Sequence, residues 1–228
     1  MYELSKTYKK FPILVSSVAI SIFLYLVTIC LGIFIYLYPQ SQLVLLDERI
    51  VNILYIFRSE VWVHFFYFIT LFAEIITVFI LTIIVSLFLL AYKQRVYLFS
   101  LWFILILGEG VTFVGKHIFQ RARPDVLFRV VTENSFSFPS GHATAVVLFY
   151  GFIVYLIIRN FKSLVIKIIS VTSFIALILL IDMSRLYLGV HYLTDVVAGN
   201  LIGLATLILG IGITEWIISN KQISLSSL

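Results

Sequence analysis

Apolar residues along the chain gather into runs of membrane-spanning length separated by short polar stretches. A spanning helix needs about 20 predominantly apolar residues. Six segments meet that need: Ile13 to Tyr38, a stretch within Phe65 to Tyr92, about Tyr97 to Phe119, Pro139 or just after to Ile158, about Leu164 to Ile181 and about Asp195 to Ile218. The segment from Pro39 to Val61 is more polar and carries Asp47, Glu48, Arg49, Arg58 and Glu60. Its apolar residues Leu43, Leu46, Ile50, Ile53, Leu54 and Phe57 recur at helical spacing. That pattern predicts a helix lying on the membrane surface, with a lid or entry surface for a lipid as the alternative. Gln120 to Phe138 reads as a loop, and Ser219 to Leu228 as a polar tail. With no internal repeat or linker, residues 1–228 read as one domain. The expected fold is an all-α membrane protein, a six-transmembrane helical bundle with an interfacial helical segment between spans 1 and 2.

Composition agrees with that pattern. The chain is 62% hydrophobic and 12% charged, whereas soluble domains are about half apolar and a quarter charged. The net charge of +5 does not indicate nucleic acid, because no solvated basic domain exists to carry such binding. The lone Cys30 excludes an intramolecular disulfide and any multi-cysteine metal site; within an apolar run it reads as packing. Lys6, Lys9 and Lys10 precede the first run, which is long enough to span and ends without a small-residue cleavage site, so it is expected to be an uncleaved span. With six spans and an internal N-terminus, nine basic residues fall inside: Lys6, Lys9, Lys10, Lys93, Arg95, Arg159, Lys162, Lys167 and Lys221. Seven fall outside: Arg49, Arg58, Lys116, Arg121, Arg123, Arg129 and Arg185. Setting aside Lys116, Arg123 and Arg185 as candidate site residues leaves nine against four, which places both termini in the cytoplasm. Trp62, Tyr36 and Tyr38 suit an interfacial aromatic belt.

Three polar clusters interrupt this apolar text: Lys116 to Pro124, Pro139-Ser140-Gly141-His142, and Ser184-Arg185 followed by His191 and Asp195. The predicted layout puts all three on the outer side, at the ends of spans 3, 4 and 6. Pro139 suits the first turn of a helix, with Ser140 and Gly141 after it. Free N–H groups at such a terminus bind anions, glycine lets a ligand approach the backbone, and His142 beside them could give a proton to a departing oxygen. His191 and Asp195, four apart, share a face if the segment is helical. The carboxylate would then fix the imidazole tautomer and leave its other nitrogen free to attack. Arg185 can hold phosphate oxygens bidentately. Lys116 and Arg123 add cations, and Pro124 stiffens the chain after Arg123. These residues alone leave open which histidine attacks.

Lys-x6-Arg-Pro, Pro-Ser-Gly-His and Ser-Arg-x5-His-x3-Asp, in this order and without substitution, resemble the three-part signature of the type 2 phosphatidic acid phosphatase superfamily. The motifs cover about residues 100–200. The resemblance implies a membrane lipid phosphatase with His191 as nucleophile, Asp195 orienting it, and His142 protonating the leaving group. Lys116, Arg123, Ser140, Gly141 and Arg185 would bind the phosphoryl oxygens, and no metal or other cofactor would be needed. The implied substrates are phosphatidylglycerophosphate, phosphatidate or undecaprenyl diphosphate, and the implied location is the cell membrane, with the active site on the extracytoplasmic side. A transporter or flippase that only binds anionic head groups is the rival from another class. Haloperoxidase chemistry, which shares the cage, is expected in soluble chains. Outside the motifs, Glu74, Glu109 and Asp182 lie in or near spans and are expected to face the bundle interior. Glu109 lies seven residues before Lys116, on about the same face. His117 reads as interfacial. Arg121, Asp125, Arg129 and Glu133 lie in the outer loop, where spacing selects none of them.

Overall fold

The computed structural model describes residues 2–226, with side chains described for residues 12–220. Of the expected polar tail Ser219 to Leu228, the side chains beyond Asn220 lie outside the described residues. Eight α-helices occur among the described residues: α1 (Tyr2–Leu37), α2 (Gln42–Ile56), α3 (Glu60–Thr70), α4 (Ile75–Ala91), α5 (Arg95–Phe119), α6 (Gly141–Asn160), α7 (Leu164–Tyr187) and α8 (Leu193–Ser226). Five of them are long and apolar enough to cross a membrane, and α3 with α4 makes a sixth, bent span. The chain is therefore a multi-pass membrane protein. Its outward faces carry large apolar side chains such as Phe23, Ile84, Phe113 and Leu179. These suit lipid contact and would be a liability in water. Cys30 lies on this exposed surface of α1, and so is not the packing residue expected.

α8 lies at the centre, in contact with α1, α5 and α6. Small residues let the backbones come close, as is usual where lipid supplies no hydrophobic drive between helices. A Cβ on Gly199 would lie 2.4 Å from the Ser140 carbonyl, and one on Gly203 2.6 Å from Val147. Hydroxyls join the same helices: Thr112 to Thr144 at 3.0 Å, Thr144 to the Gly199 carbonyl at 3.1 Å, and Thr214 to Ser100 at 2.6 Å. Between these contacts lies an apolar core that includes Leu101, Ile104, Val146, Leu148, Phe152 and Ile181.

Three further expectations need correction. The second span is not one straight helix: α3 and α4 meet at a 44° bend, made by a 3₁₀ turn over Leu71–Ala73 and an extended Glu74. Tyr150 donates to the freed Phe72 carbonyl at 2.9 Å, so the break leaves that group satisfied. The polar residues at the break, Thr70 and Glu74, turn toward the site. Next, Pro139 is not in the first turn of α6. Ser140 is its N-cap, with its Oγ 3.5 Å from the Ala143 N–H, and the helix proper starts at Gly141. Lastly, α7 runs six residues past the expected end at Ile181, so Ser184 and Arg185 lie in its final turns. The interfacial segment is helical as predicted. However, α2 turns Asp47 inward together with Val51 and leaves Leu46, Ile53 and Ile56 exposed.

Candidate active site

Four helix ends meet at one end of the bundle: the C-termini of α5 and α7 and the N-termini of α6 and α8. α5 ends at a left-handed Gln120, after which the chain turns back across the bundle. α7 ends in a turn where Gly189 has φ +71°, a conformation that glycine adopts without a Cβ penalty. A Cβ there would also lie 1.9 Å from the Phe128 carbonyl. The turn is tied to the outer loop by Val130 N–H donating to the Leu188 carbonyl at 3.0 Å. It delivers His191 to the interior with 1% of its surface exposed.

His191 and Asp195 do pair, although not as helix neighbours. His191 lies in the turn and Asp195 in the first turn of α8, yet Nδ1 is 3.5 Å from Oδ2. The carboxylate is wholly buried. Its Oδ2 accepts from Ser137 Oγ at 2.5 Å and from the Tyr192 N–H at 2.9 Å, and its Oδ1 from Arg121 at 2.6 Å. The far nitrogen of His191, Nε2, faces Arg123 Nη1 at 3.2 Å. An arginine only donates, so Nε2 carries the lone pair and Nδ1 the proton. Burial holds the His191 imidazole well below the ordinary histidine value; the Asp195 bond opposes this, while Arg123 and Arg185 reinforce it.

A cavity of about 260 Å³ is lined in part by His191. Lys116, Arg123, Gly141, His142, Arg185 and His191 all line it. Ser140 and Asp195 do not: each is fully buried behind the wall. The Ser140 N–H is not free for an anion, since it donates to the Asp195 carbonyl at 2.9 Å. That bond joins the second and third motifs through the backbone. Lys116 donates to the Phe136 carbonyl at 2.6 Å. Arg123 is oriented by the Ser135 carbonyl at 2.7 Å and the Val190 carbonyl at 2.9 Å. Arg185, 1% exposed, donates to Thr70 Oγ1 at 2.8 Å.

Several participants were not selected from spacing. Glu133 reaches from the outer loop onto both arginines, 2.5 Å from Arg185 Nη2 and 3.5 Å from Arg123 Nη2. Burial raises its carboxyl, but Arg185 and Arg123 outweigh that and hold it below the usual carboxylate range. Glu74, at the α3–α4 break, lies 3.3 Å from His142 Nε2. Glu109 lines the cavity with one buried oxygen lacking a partner, while the Lys116 ammonium donates to the Phe136 carbonyl. Asp182 lies apart and accepts from Asn200 at 2.6 Å. A second cavity of about 520 Å³ shares Lys116, Arg123 and Glu133 with the first and adds His117 and Arg129. No pattern marks Ser137 or Glu133 in the sequence. Asp47 does leave a trace, since it falls on the apolar stripe of α2 with Leu43, Ile50 and Leu54.

Fold and site together define a multi-pass helical membrane protein with a cationic pocket around a carboxylate-paired histidine at one end of the bundle. Residues 97–218 match the model of the PAP2 superfamily, and the chain belongs to that family. It is 37% identical over 111 residues to phosphatidylglycerophosphatase B of Bacillus subtilis (strain 168), a match covering 48% of this chain and 54% of the relative. The match thus spans about half the relative's length. The chain resembles the crystal structure of the first transmembrane PAP2 type phosphatidylglycerolphosphate phosphatase from Bacillus subtilis, with a TM-score of 0.74 and 26% identity over 86% of this chain and 96% of that one. The Aquifex aeolicus LpxE structure shares the fold, with a TM-score of 0.55 and 24% identity over 77% and 95% of the two chains.

Proposed function

We propose that the protein is a membrane lipid phosphatase that works through a phosphohistidine on His191. The observation that carries this reading is the environment of one imidazole. Nδ1 faces a buried carboxylate at 3.5 Å, Nε2 faces Arg123 at 3.2 Å, and His191 lines a pocket together with Lys116, Arg123 and Arg185. In this reading Nε2 attacks phosphorus while Lys116, Arg123, Arg185 and the Gly141 backbone hold the phosphoryl oxygens. Such preorganised donors are usually the largest source of rate, each worth about 10²–10³-fold. The bond from phosphorus to the lipid oxygen breaks, and His142, poised against Glu74, gives that oxygen its proton. His142 then takes a proton from the water that attacks the phosphohistidine, which releases phosphate and restores neutral His191. Ser140 acts from behind, by capping α6 and holding it to α8.

The similarity to phosphatidylglycerophosphatase B favours phosphatidylglycerophosphate as substrate, with phosphatidate in the same class. Undecaprenyl diphosphate, and with it cell-wall carrier recycling, is the second reading. The adjoining cavity of about 520 Å³ favours it, because it brings Arg129 and His117 where a second phosphate could sit. The excess of inner Lys and Arg supports cytoplasmic termini and an extracytoplasmic site. The test is phosphate release in detergent, in the presence of EDTA, from lipid monophosphates and diphosphates. A radiolabelled phosphoenzyme should be trapped on wild type and be absent from His191→Ala. Undiminished turnover by His191→Ala would sink this reading, and head-group binding without turnover by the wild type would favour the transporter.

A further inference from the structure

We propose that Arg121, anchored by Asp47 of α2, is a positioning residue that sets the protonation state and aim of the His191–Asp195 pair. The inference rests on His191 being the attacking group. Arg121 Nη1 donates to Asp195 Oδ1 at 2.6 Å and to Thr194 Oγ1 at 2.7 Å, and Nη2 donates to Asp47 Oδ2 at 2.8 Å. Its guanidinium lies 4.3 Å over the Tyr192 ring. Asp47 is 1% exposed. It accepts from the Thr194 N–H at 3.0 Å and from Thr194 Oγ1 at 2.5 Å, and so caps the helix that carries Asp195. A segment more than 140 residues upstream in sequence thereby fastens the carboxylate behind the nucleophile.

The charge balance shows what Arg121 does. Asp195 oxygen Oδ2 is committed to Ser137, Tyr192 and the His191 side, and Oδ1 has Arg121. Without the guanidinium, the buried carboxylates of Asp47 and Asp195 would lose the cation that bridges them. Buried like charges do not both stay ionised at ordinary cost. If Asp195 kept its charge, it would favour the imidazolium form of His191 and remove the lone pair. If Asp195 took up a proton, His191 would lose its acceptor and its tautomer. The other charged groups facing the pair are Arg123 and Arg185 toward His191, and Lys116 toward Asp195. All three are cations on the pocket side and cannot replace Arg121 behind it. Both outcomes require a higher pH for activity, so the acid limb of the kcat profile must move up.

The experiment compares wild type, Arg121→Ala, Arg121→Lys and Asp47→Asn in detergent with one lipid monophosphate, so that titration of the substrate cancels. Arg121→Ala is expected to lower kcat by about 10- to 100-fold, the usual effect of losing a group that orients the carboxylate behind a functional imidazole, with KM within about threefold. Its acid limb should lie at higher pH. Arg121 borders two cavities, so added guanidinium should enter the space left and restore part of kcat. Arg121→Lys keeps the charge and should hold the limb near its wild-type position, with kcat still reduced because one ammonium cannot span three acceptors. Asp47→Asn should lower kcat less than Arg121→Ala does. An unmoved acid limb in Arg121→Ala, a loss confined to KM, or a loss in all variants that guanidinium leaves unrestored would overturn the proposal. Failure to trap a phosphohistidine on wild type would instead overturn the reading beneath it.

Discussion

If Arg123 and Arg185 hold the phosphoryl group as proposed, Glu133 competes for them, and removing its charge should tighten product binding. Its carboxylate bridges Arg185 and Arg123 at 2.5 and 3.5 Å, with 25% of the side chain exposed. At 3.5 Å and an effective dielectric near 20, one such pair attracts by about 5 kcal/mol before desolvation is charged against it. The net value of a hydrogen bond to a charged group is nearer 1.5–3 kcal/mol, and partial exposure favours the lower half of that range. In the proposed mechanism, a phosphoryl group held by both arginines displaces this contact. Glu133→Gln keeps the shape and one acceptor but loses the charge. Inorganic phosphate should then bind about 1.5–2 kcal/mol more tightly, which is about a 10- to 30-fold lower inhibition constant. Because the arginines hold Glu133 ionised, the effect should persist across the neutral pH range. The assay follows release of the lipid alcohol while phosphate is added. An inhibition constant unchanged within about threefold, or a weaker one, would refute the argument and make Glu133 a support for the arginines instead of a competitor.

Three further outcomes follow from the same geometry. His142→Gln should slow lipid monoesters by about 10²–10⁴-fold, the usual worth of general acid catalysis, yet slow p-nitrophenyl phosphate far less, because that leaving group departs without a proton; equal losses on both would count against His142 as the acid. His191 must be neutral to attack and its value is depressed, so phosphoenzyme formation in a single turnover should still proceed below about pH 6.5 and fail only on further acidification. Loss of labelling already at pH 7 would contradict that burial. Gly189→Ala adds a Cβ 1.9 Å from the Phe128 carbonyl at φ +71°; backbone strain of this kind costs about 1–3 kcal/mol, so the variant should melt several degrees lower and lose kcat together with it, and an unchanged melting midpoint would argue against a rigid His191 turn.

The six apolar runs were legible because a bilayer demands length and hydropathy, and both are local properties. The meeting of three motifs at one end was legible from parity alone, because the ends of spans 3, 4 and 6 fall on the same side. The break at Glu74 was not. It has no proline or glycine, and the bend is maintained by partners distant in sequence, Tyr150, Arg185 and His142. The reading of His191 and Asp195 as helix neighbours named the right pair on the wrong geometry; the turn at Gly189 and the Ser137 hydroxyl bring them together. Arg121 and Asp47 were missed because a loop arginine and an acid on a surface helix ordinarily meet water. Only the fold shows that each is the other's partner.

The tight seating of α1 along α8 has a bearing on how this chain can be taken apart. The family match begins at residue 97, yet a Cβ on Gly212 of α8 would strike Ser17 of α1 at 2.5 Å, and Ser21 and Tyr25 bond to Ala205 and Thr206. A fragment trimmed to the shared region would strip its central helix of a complementary wall and discard Asp47 as well. Chimeras between relatives should therefore trade the first and last spans as a matched set, with the cap at Thr194 carried along.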